Sequence, residues 1–329
     1  MIRFAVPKGS LEAETKAILE RAWYGVVWPE RSYRPKVRDP EIELKVLRPQ
    51  EIPVYVAEGY YDIGITGLDW VVESDADVVE LLDLEYGGVK LVLAAPPMFK
   101  GMSLSDLLVK FKEEGRCFRV STEYPKITRS YLMKNESYKR LYGGEEPLII
   151  TPWWKVGENE MVRIFLSFGA TEAKPPEEVD AIVDATRTGT TLRRNNLEQV
   201  EVVMESTARL IANRDSLDDE AKREKIYDVV SLLKGVVDSD KKLHIFLNVR
   251  EENLGKLVSS LPALKSPTIS KLSTEGWYSV NTVIGKDDFF KILPLLRKFA
   301  QGLVVHKPDQ ILPLEEIKDE SEEGKGKGA

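Results

Sequence analysis

At 329 residues the chain has room for two or three domains that each bury a core. A net charge of −7, with 31% charged and 43% hydrophobic residues, argues against a general binder of nucleic acid or anionic membrane, because such proteins need a basic surface. A local basic pocket for a phosphorylated small molecule stays open.

Cys117 is the only cysteine, which excludes an internal disulfide and a cysteine-rich metal site. The two histidines, His244 and His306, sit in short apolar runs and leave little material for serine–histidine hydrolysis or histidine-rich zinc chemistry. Met1–Val6 enters a strand with no charged leader ahead of it, and no stretch approaches the roughly 20 apolar residues that span a bilayer. A cytoplasmic location is expected.

In chain order, apolar runs predict strands at Ile2–Val6, Ile42–Leu47, Asp62–Thr66, Val89–Ala94, Phe118–Ser121 and Val179–Asp184. Helical spacing falls at Leu11–Trp23, Gln50–Glu58, Leu104–Glu113 and Thr128–Leu141. This alternation reads as α/β, with sheets covered by helices. Pro96-Pro97 marks a domain crossing, and one long strand over Gln199–Ile211 is expected to return to the first sheet. Residues 1–95 with 199–217 then form one lobe, and 96–198 the other. From Asp218 a charged helix leads into a βαββαβ unit ending at 313, the ferredoxin-like order. The charged, glycine-rich tail 314–329 is expected to be disordered.

The most informative segment is Val179–Leu192, a strand ending in acid followed by a small polar loop and a helix start. Successive N–H groups in such a loop cradle an anion. Thr188, Thr190 and Thr191 add hydroxyl donors, and Gly189 lets the backbone close on a phosphate. Asp180 and Asp184 are expected beside it, accepting from ribose hydroxyls, a layout suited to a ribose 5-phosphate. Plain capping of a helix by Thr-Gly-Thr-Thr is the alternative. A second cluster, Val46–Asp69, places a strand, a helix and a strand that stops at Gly67, as two-lobed binding proteins place ligands. The third is Pro7-Lys8-Gly9-Ser10, a strand-to-helix turn, with Arg31, Arg34 and Arg38 on the loop beyond.

Three patterns together resemble the ATP phosphoribosyltransferase family over nearly the whole chain: the Lys8-Gly9 turn, the Arg48-Pro49…Ile52-Pro53…Gly59…Asp62…Gly64-Ile65-Thr66-Gly67…Asp69 block, and the Asp180…Asp184…Thr188-Gly189…Thr191-Leu192 loop. Tyr124-Pro125 and Glu172 fit as well. Asn248, Leu261-Pro262, Ser266-Pro267-Thr268, Gly276-Trp277 and Gly302 resemble the regulatory domain of the family's long forms. The resemblance implies a two-lobed, periplasmic-binding-protein-like catalytic core plus a C-terminal regulatory domain. It also implies ATP and phosphoribosyl pyrophosphate as substrates, Mg²⁺ dependence with no residue assigned to the metal, a homohexamer, and inhibition by histidine. Carried over residue by residue, Thr188–Leu192 holds the 5-phosphate, and Asp180 and Asp184 the ribose. Lys8, Arg31 and Arg48 face the pyrophosphate, Glu172 lies near the ribose or adenine, and Gly67 and Asp69 lie near ATP. Asn248, Ser266 and Thr268 would bind histidine.

The sequence departs from the family at Glu51, at Ser10 and over Thr151–Glu160, where Trp153-Trp154 matches nothing familiar. Two rival readings are a non-catalytic two-lobed binding protein with a sensor domain and a prephenate dehydratase-like lyase. The second leaves the loop behind two aspartates unexplained.

Overall fold

Alternating apolar strands and amphipathic helices fold into three sheets in a computed structural model that describes residues 1–28, 33–262 and 266–312. In chain order the elements begin β1 (Ile2–Pro7), α1 (Glu12–Arg21), β2 (Ile42–Leu47), α2 (Ile52–Ala57), β3 (Ile63–Gly67), α3 (Leu68–Ser74), β4 (Val79–Asp83) and β5 (Val89–Ala95). Next come α4 (Leu104–Glu113), β6 (Phe118–Thr122), α5 (Pro125–Lys134), α6 (Glu136–Tyr142), β7 (Pro147–Ile150), β8 (Lys155–Val156), β9 (Asn159–Leu166) and β10 (Ala181–Thr186). Then follow α7 (Thr190–Arg194), β11 (Glu198–Ser206), β12 (Ala208–Ala212), α8 (Arg214–Asp218) and α9 (Glu220–Ser239). The chain closes with β13 (Lys242–Arg250), α10 (Glu251–Val258), β14 (Thr268–Lys271), β15 (Trp277–Gly285), α11 (Lys286–Phe299) and β16 (Ala300–His306).

The first sheet has the order β2-β1-β3-β12-β4 and the second β11-β5-β10-β6-β9-β7-β8. The expected lobe boundary moves in consequence. β5 and β11 pair with each other and belong to the second sheet, so Gln199–Ile211 is not one strand. The chain leaves the second sheet at Ser206 and enters the first at Ala208, where β12 pairs antiparallel with β3. Val89–Ala95 reads as apolar in either position, since it is buried in whichever sheet takes it. The helix expected at Thr128–Leu141 is two helices, broken at Asn135, whose side chain caps α6.

In the second lobe Phe111, Phe118, Val120, Leu132 and Val162 fill the core between sheet and helices. Each such large side chain contributes about 1.5–3 kcal/mol by leaving water. The first lobe closes Ile52 and Val56 of α2 over Ala5 and Ile211.

The described residues group into two compact units, one of residues 1–15, 33–34 and 42–218, the other of 16–28, 35–41, 219–262 and 266–312. Both sheets of the core lie in the first. The second is larger than the expected regulatory domain, because polar pairs bind residues 16–28 and 35–41 into it: Arg21 to Asp240 at 2.7 Å and Asp39 to Lys225 at 2.7 Å. Its sheet, β14-β15-β13-β16, carries the βαββαβ order, with Ile245, Leu247, Val280, Ile284 and Leu296 in its core. The expected tail 314–329 lies outside the described residues.

Candidate functional site

Parallel pairing brings the carboxyl ends of β1, β2 and β3 together, with Pro7 opposite Leu47 and Ala5 opposite Gly64. Lys8, Arg48 and Gly67 therefore reach one edge of the first sheet. The Lys8 N–H donates to the Leu47 carbonyl at 2.8 Å, and its ammonium lies 5.0 Å from the centre of the Tyr33 ring. Arg48 is exposed, and its N–H donates to Glu51 Oε2 at 3.3 Å. Arg31, expected beside them, lies outside the described residues. Two glycines of this block, Gly64 and Gly67, serve packing. A Cβ on Gly64 would stand 2.5 Å from Ile52 of α2, and one on Gly67 would stand 2.1 Å from the Asp69 carboxylate.

Across the hinge, β6, β9, β7 and β10 run parallel, so Glu123, Thr151, Ser167 and the loop after Thr186 share one edge of the second sheet. Ligands of open α/β sheets bind outside such strand ends. In the loop Gly189 holds φ at +69°, a conformation that strains a residue with a Cβ, and its N–H donates to Thr186 Oγ1 at 2.9 Å. Thr188 and Thr190 hydroxyls lie 2.9 Å apart, and Thr191 is exposed at the first turn of α7. Leu192 differs from expectation: it is buried among Val92, Val179, Ile182 and Leu197, so it anchors the loop without facing a ligand. Arg187 of this loop meets Glu14 of α1 at 3.3 Å.

The two aspartates part company. Asp180 precedes β10 and Asp184 lies inside it, so about 13 Å of strand separates them. Asp180 is buried at the amino end, where the Arg119 backbone N–H and guanidinium donate to it at 2.9 and 3.0 Å. The expected ribose contact at Asp180 is thus replaced by a structural ion pair. Sequence spacing could not reveal this, because it does not fix where a strand begins.

Asp184 stands on the loop side. Burial, with the nearby charges of Glu123 and Glu172 adding to it, raises its pKa to about 6. Glu123 is itself pushed up, by burial first and then by Glu172. These acids do not form a cage: among the described residues no group of three or more histidines, cysteines or acids is placed to hold a metal ion. Lys174 supplies a cation near them, donating to Ser167 Oγ at 2.5 Å and to Ser121 Oγ at 3.2 Å. Neither Glu123 nor Lys174 was singled out by the sequence, although Glu123 precedes the recognisable Tyr124-Pro125.

Asp69 was expected near ATP, yet its carboxylate is turned inward and only 5% of the residue is exposed. Oδ1 accepts from Ser206 Oγ at 2.7 Å and Oδ2 from the Tyr124 hydroxyl at 3.0 Å, while its own N–H donates to Ser206 Oγ at 3.0 Å. Trp70 stacks on Tyr124 with ring centres 4.4 Å apart, and Glu73 accepts the N–H groups of Lys126 and Ile127 at 3.0 and 2.9 Å. Asp69 thus joins the two lobes.

In the C-terminal sheet, cross-strand register puts Asn248 level with Ser279 and Thr268 level with Asn281. Thr268 and Ser266 are exposed, and Asn248 is half-buried against Gly302. His244 Nε2 meets Asn281 Oδ1.

A core of this kind, two α/β lobes offering strand ends to a common hinge, belongs to the binding-protein-like class of two-lobed folds. The chain belongs to the ATP phosphoribosyltransferase family, whose sequence profile matches residues 48–235. The profile of the family's C-terminal domain matches residues 239–307, so this is a long form. It is 35% identical to ATP phosphoribosyltransferase of Thermodesulfovibrio yellowstonii and 36% identical to that of Solibacter usitatus, in each case over 95% of this chain and 99% of the relative. A solved structure, the ATP phosphoribosyl transferase (HisG:HisZ) complex from Thermotoga maritima, superposes with a TM-score of 0.55 at 25% identity, covering 72% of this chain and 99% of that one.

Proposed function

We propose that the chain transfers the phosphoribosyl group of phosphoribosyl pyrophosphate to N1 of ATP and releases pyrophosphate, the first step of histidine biosynthesis. Family membership over nearly the whole chain carries this reading. The adenine N1 lone pair forms the new bond to the anomeric carbon as the bond to the pyrophosphate oxygen breaks. No protein base is needed, so the protein's work is to place two anionic substrates in line and to balance charge.

The 5-phosphate is assigned to the amides of Thr190 and Thr191 with the Thr188 and Thr190 hydroxyls, and the ribose hydroxyls to Asp184. Lys8 and Arg48 are assigned to the leaving pyrophosphate, with Arg31 as a third cation from the sequence, and the Gly67 backbone to ATP. Glu172, with Glu123, borders the ribose and adenine. Mg²⁺ would arrive on substrate phosphates, since Mg²⁺ typically needs only one or two carboxylates beyond them, and Asp184 and Glu172 are the acids at hand. When bound it would neutralise charge on the departing pyrophosphate.

A homohexamer, feedback inhibition by histidine through Asn248, Ser266 and Thr268, and a cytoplasmic location suited to these substrates complete the reading. Among the described residues, no helix is long and apolar enough to cross a membrane. Pyrophosphate release that requires both ATP and phosphoribosyl pyrophosphate, with growth of the N1-alkylated adenine absorbance, is the expected result. Release with either substrate alone, or none with both, would refute it.

A further inference from the structure

The segment that departs from the family has a definite place in the fold. Trp153 follows β7 on a turn braced by Thr151, whose Oγ1 accepts the N–H groups of Trp153 and Trp154 at 3.2 and 3.0 Å and donates to the Trp154 carbonyl at 2.9 Å. Phe168 follows β9 on a second braced turn. There the Ser167 hydroxyl donates to the Gly169 carbonyl at 3.0 Å, and the Ser167 N–H donates to the Thr122 carbonyl at 2.8 Å. The two rings meet edge to face, with centroids 5.7 Å apart and planes at 71°. Yet Trp153 is 72% and Phe168 70% exposed. Firmly held turns thus display two large apolar rings to water.

Their neighbours say what covers them. β7 and β9 end on the same sheet edge as β6 and β10. Glu123 Oε1 lies 3.9 Å from where a Cβ on Gly169 would stand, and Lys174 reaches Ser167, so both chain neighbours of Phe168 sit beside charged groups of this edge. The occupant must therefore offer a flat apolar ring on one side and polar groups on the other. A pair of rings is too small for a stable contact between two copies of the chain, which buries on the order of 1,200 Å² or more.

We propose that Trp153 and Phe168 form an aromatic shelf for the purine ring of the nucleotide substrate, a role that rests on the reading of ATP as a substrate. Ring stacking holds the base in plane, and the acids Glu123 and Glu172 suit the adenine exocyclic amine as acceptors. The shelf would hold the base beside the ribose carbon that N1 attacks.

Steady-state kinetics of Trp153→Ala, Phe168→Ala and Trp153→Phe in the full chain test this. Each alanine variant should raise KM for ATP by roughly tenfold, the size expected of one stacked base. KM for phosphoribosyl pyrophosphate should change by less than about twofold, and Trp153→Phe should recover most of the loss because a ring face remains. Inorganic tripolyphosphate, which has no base, should compete with ATP equally well in wild type and variants. Three results would each overturn the shelf: unchanged KM for ATP in both alanine variants, tripolyphosphate weakened as much as ATP, or a shift of assembly state in sedimentation in place of the KM change. A wild type that releases no pyrophosphate from the substrate pair overturns the reaction itself, so the two failures are distinguishable.

Discussion

Asp184 shows how a single carboxylate links stability to chemistry. Its pKa is raised from 3.8 to about 6 by burial and by neighbouring acids, so the fold favours the protonated form. For a group raised in this way, the stabilising contribution is fully present below the unfolded value, near pH 4, and is lost as pH rises through about 6. At neutral pH the free enzyme therefore carries an unfavourable ionised acid, worth at most about 3 kcal/mol for a shift of roughly two units. Asp184→Asn should melt higher than wild type at pH 7.5, and the gain should vanish near pH 4. An ionised Asp184 is also the form that accepts from ribose hydroxyls. Wild-type kcat/KM for phosphoribosyl pyrophosphate should then fall below about pH 6, while Asp184→Asn should be weak throughout and lack that limb. The same limb in the variant would remove Asp184 from the site. The contrast with Asp180 shows what sequence could supply here. Both acids were visible at their spacing of four, but burial beside Arg119, which makes one of them structural, depends on pairing across strands.

The helices α3 and α5 come from different lobes, and the groups at their starts hold the core together. The Tyr124 hydroxyl is pushed above the usual phenol range, by burial first and by Asp69 second, and so it stays a donor to Asp69 at working pH. Tyr124→Phe would leave Asp69 Oδ2 buried without that partner, a loss of about 1–3 kcal/mol. The Trp70 stacking would persist in the variant. We expect a lower Tm and a larger KM for both substrates, since each is assigned to strand ends that this joint aligns. A Tm within error of wild type would show that the hydroxyl is not holding the lobes. Most elements were legible because their apolar period was clear: α4 and β2 fall where spacing put them. β9 and β4 were not read from the sequence. β4 has no fully buried position, and β9 is interrupted by Glu160, Arg163 and half-buried positions that blur a period of two. The single strand expected at Gln199–Ile211 split because one residue, Thr207, carries the chain from sheet to sheet. No periodicity marks a crossing made by a single residue.

The proposed regulation by histidine would depend on coupling between sites, and its residues are assigned to one face of the C-terminal sheet. One face of its sheet is closed by Leu257, Ile292 and Leu296 from α10 and α11. The other face carries His244, Phe246 and Asn248 on β13, Asn281 on β15 and Thr268 on β14, all at positions of one parity in the register. Asn248 and Thr268 are two strands and two residues apart, which ordinary strand spacing makes about 12 Å. Neither could clasp the other's ligand group directly, but a free histidine lying across Asn281 could meet one with its backbone groups and the other with its ring. Thr268 offers a hydroxyl, and Asn248 both a donor and an acceptor. Inhibition needs more than this contact. Histidine must bind one arrangement of the enzyme better than another, because equal affinity for both shifts nothing. A coupling of about 1–3 kcal/mol is typical, which corresponds to 5–150-fold in affinity. Thr268→Val keeps the size and β-branching of the side chain on an exposed strand, so uninhibited turnover should match wild type. The histidine concentration for half inhibition should rise by roughly tenfold, about the value of one lost hydrogen bond to a charged group. Equal inhibition of variant and wild type would exclude Thr268 from the sensor, and a wild type that histidine never inhibits would end the regulatory reading.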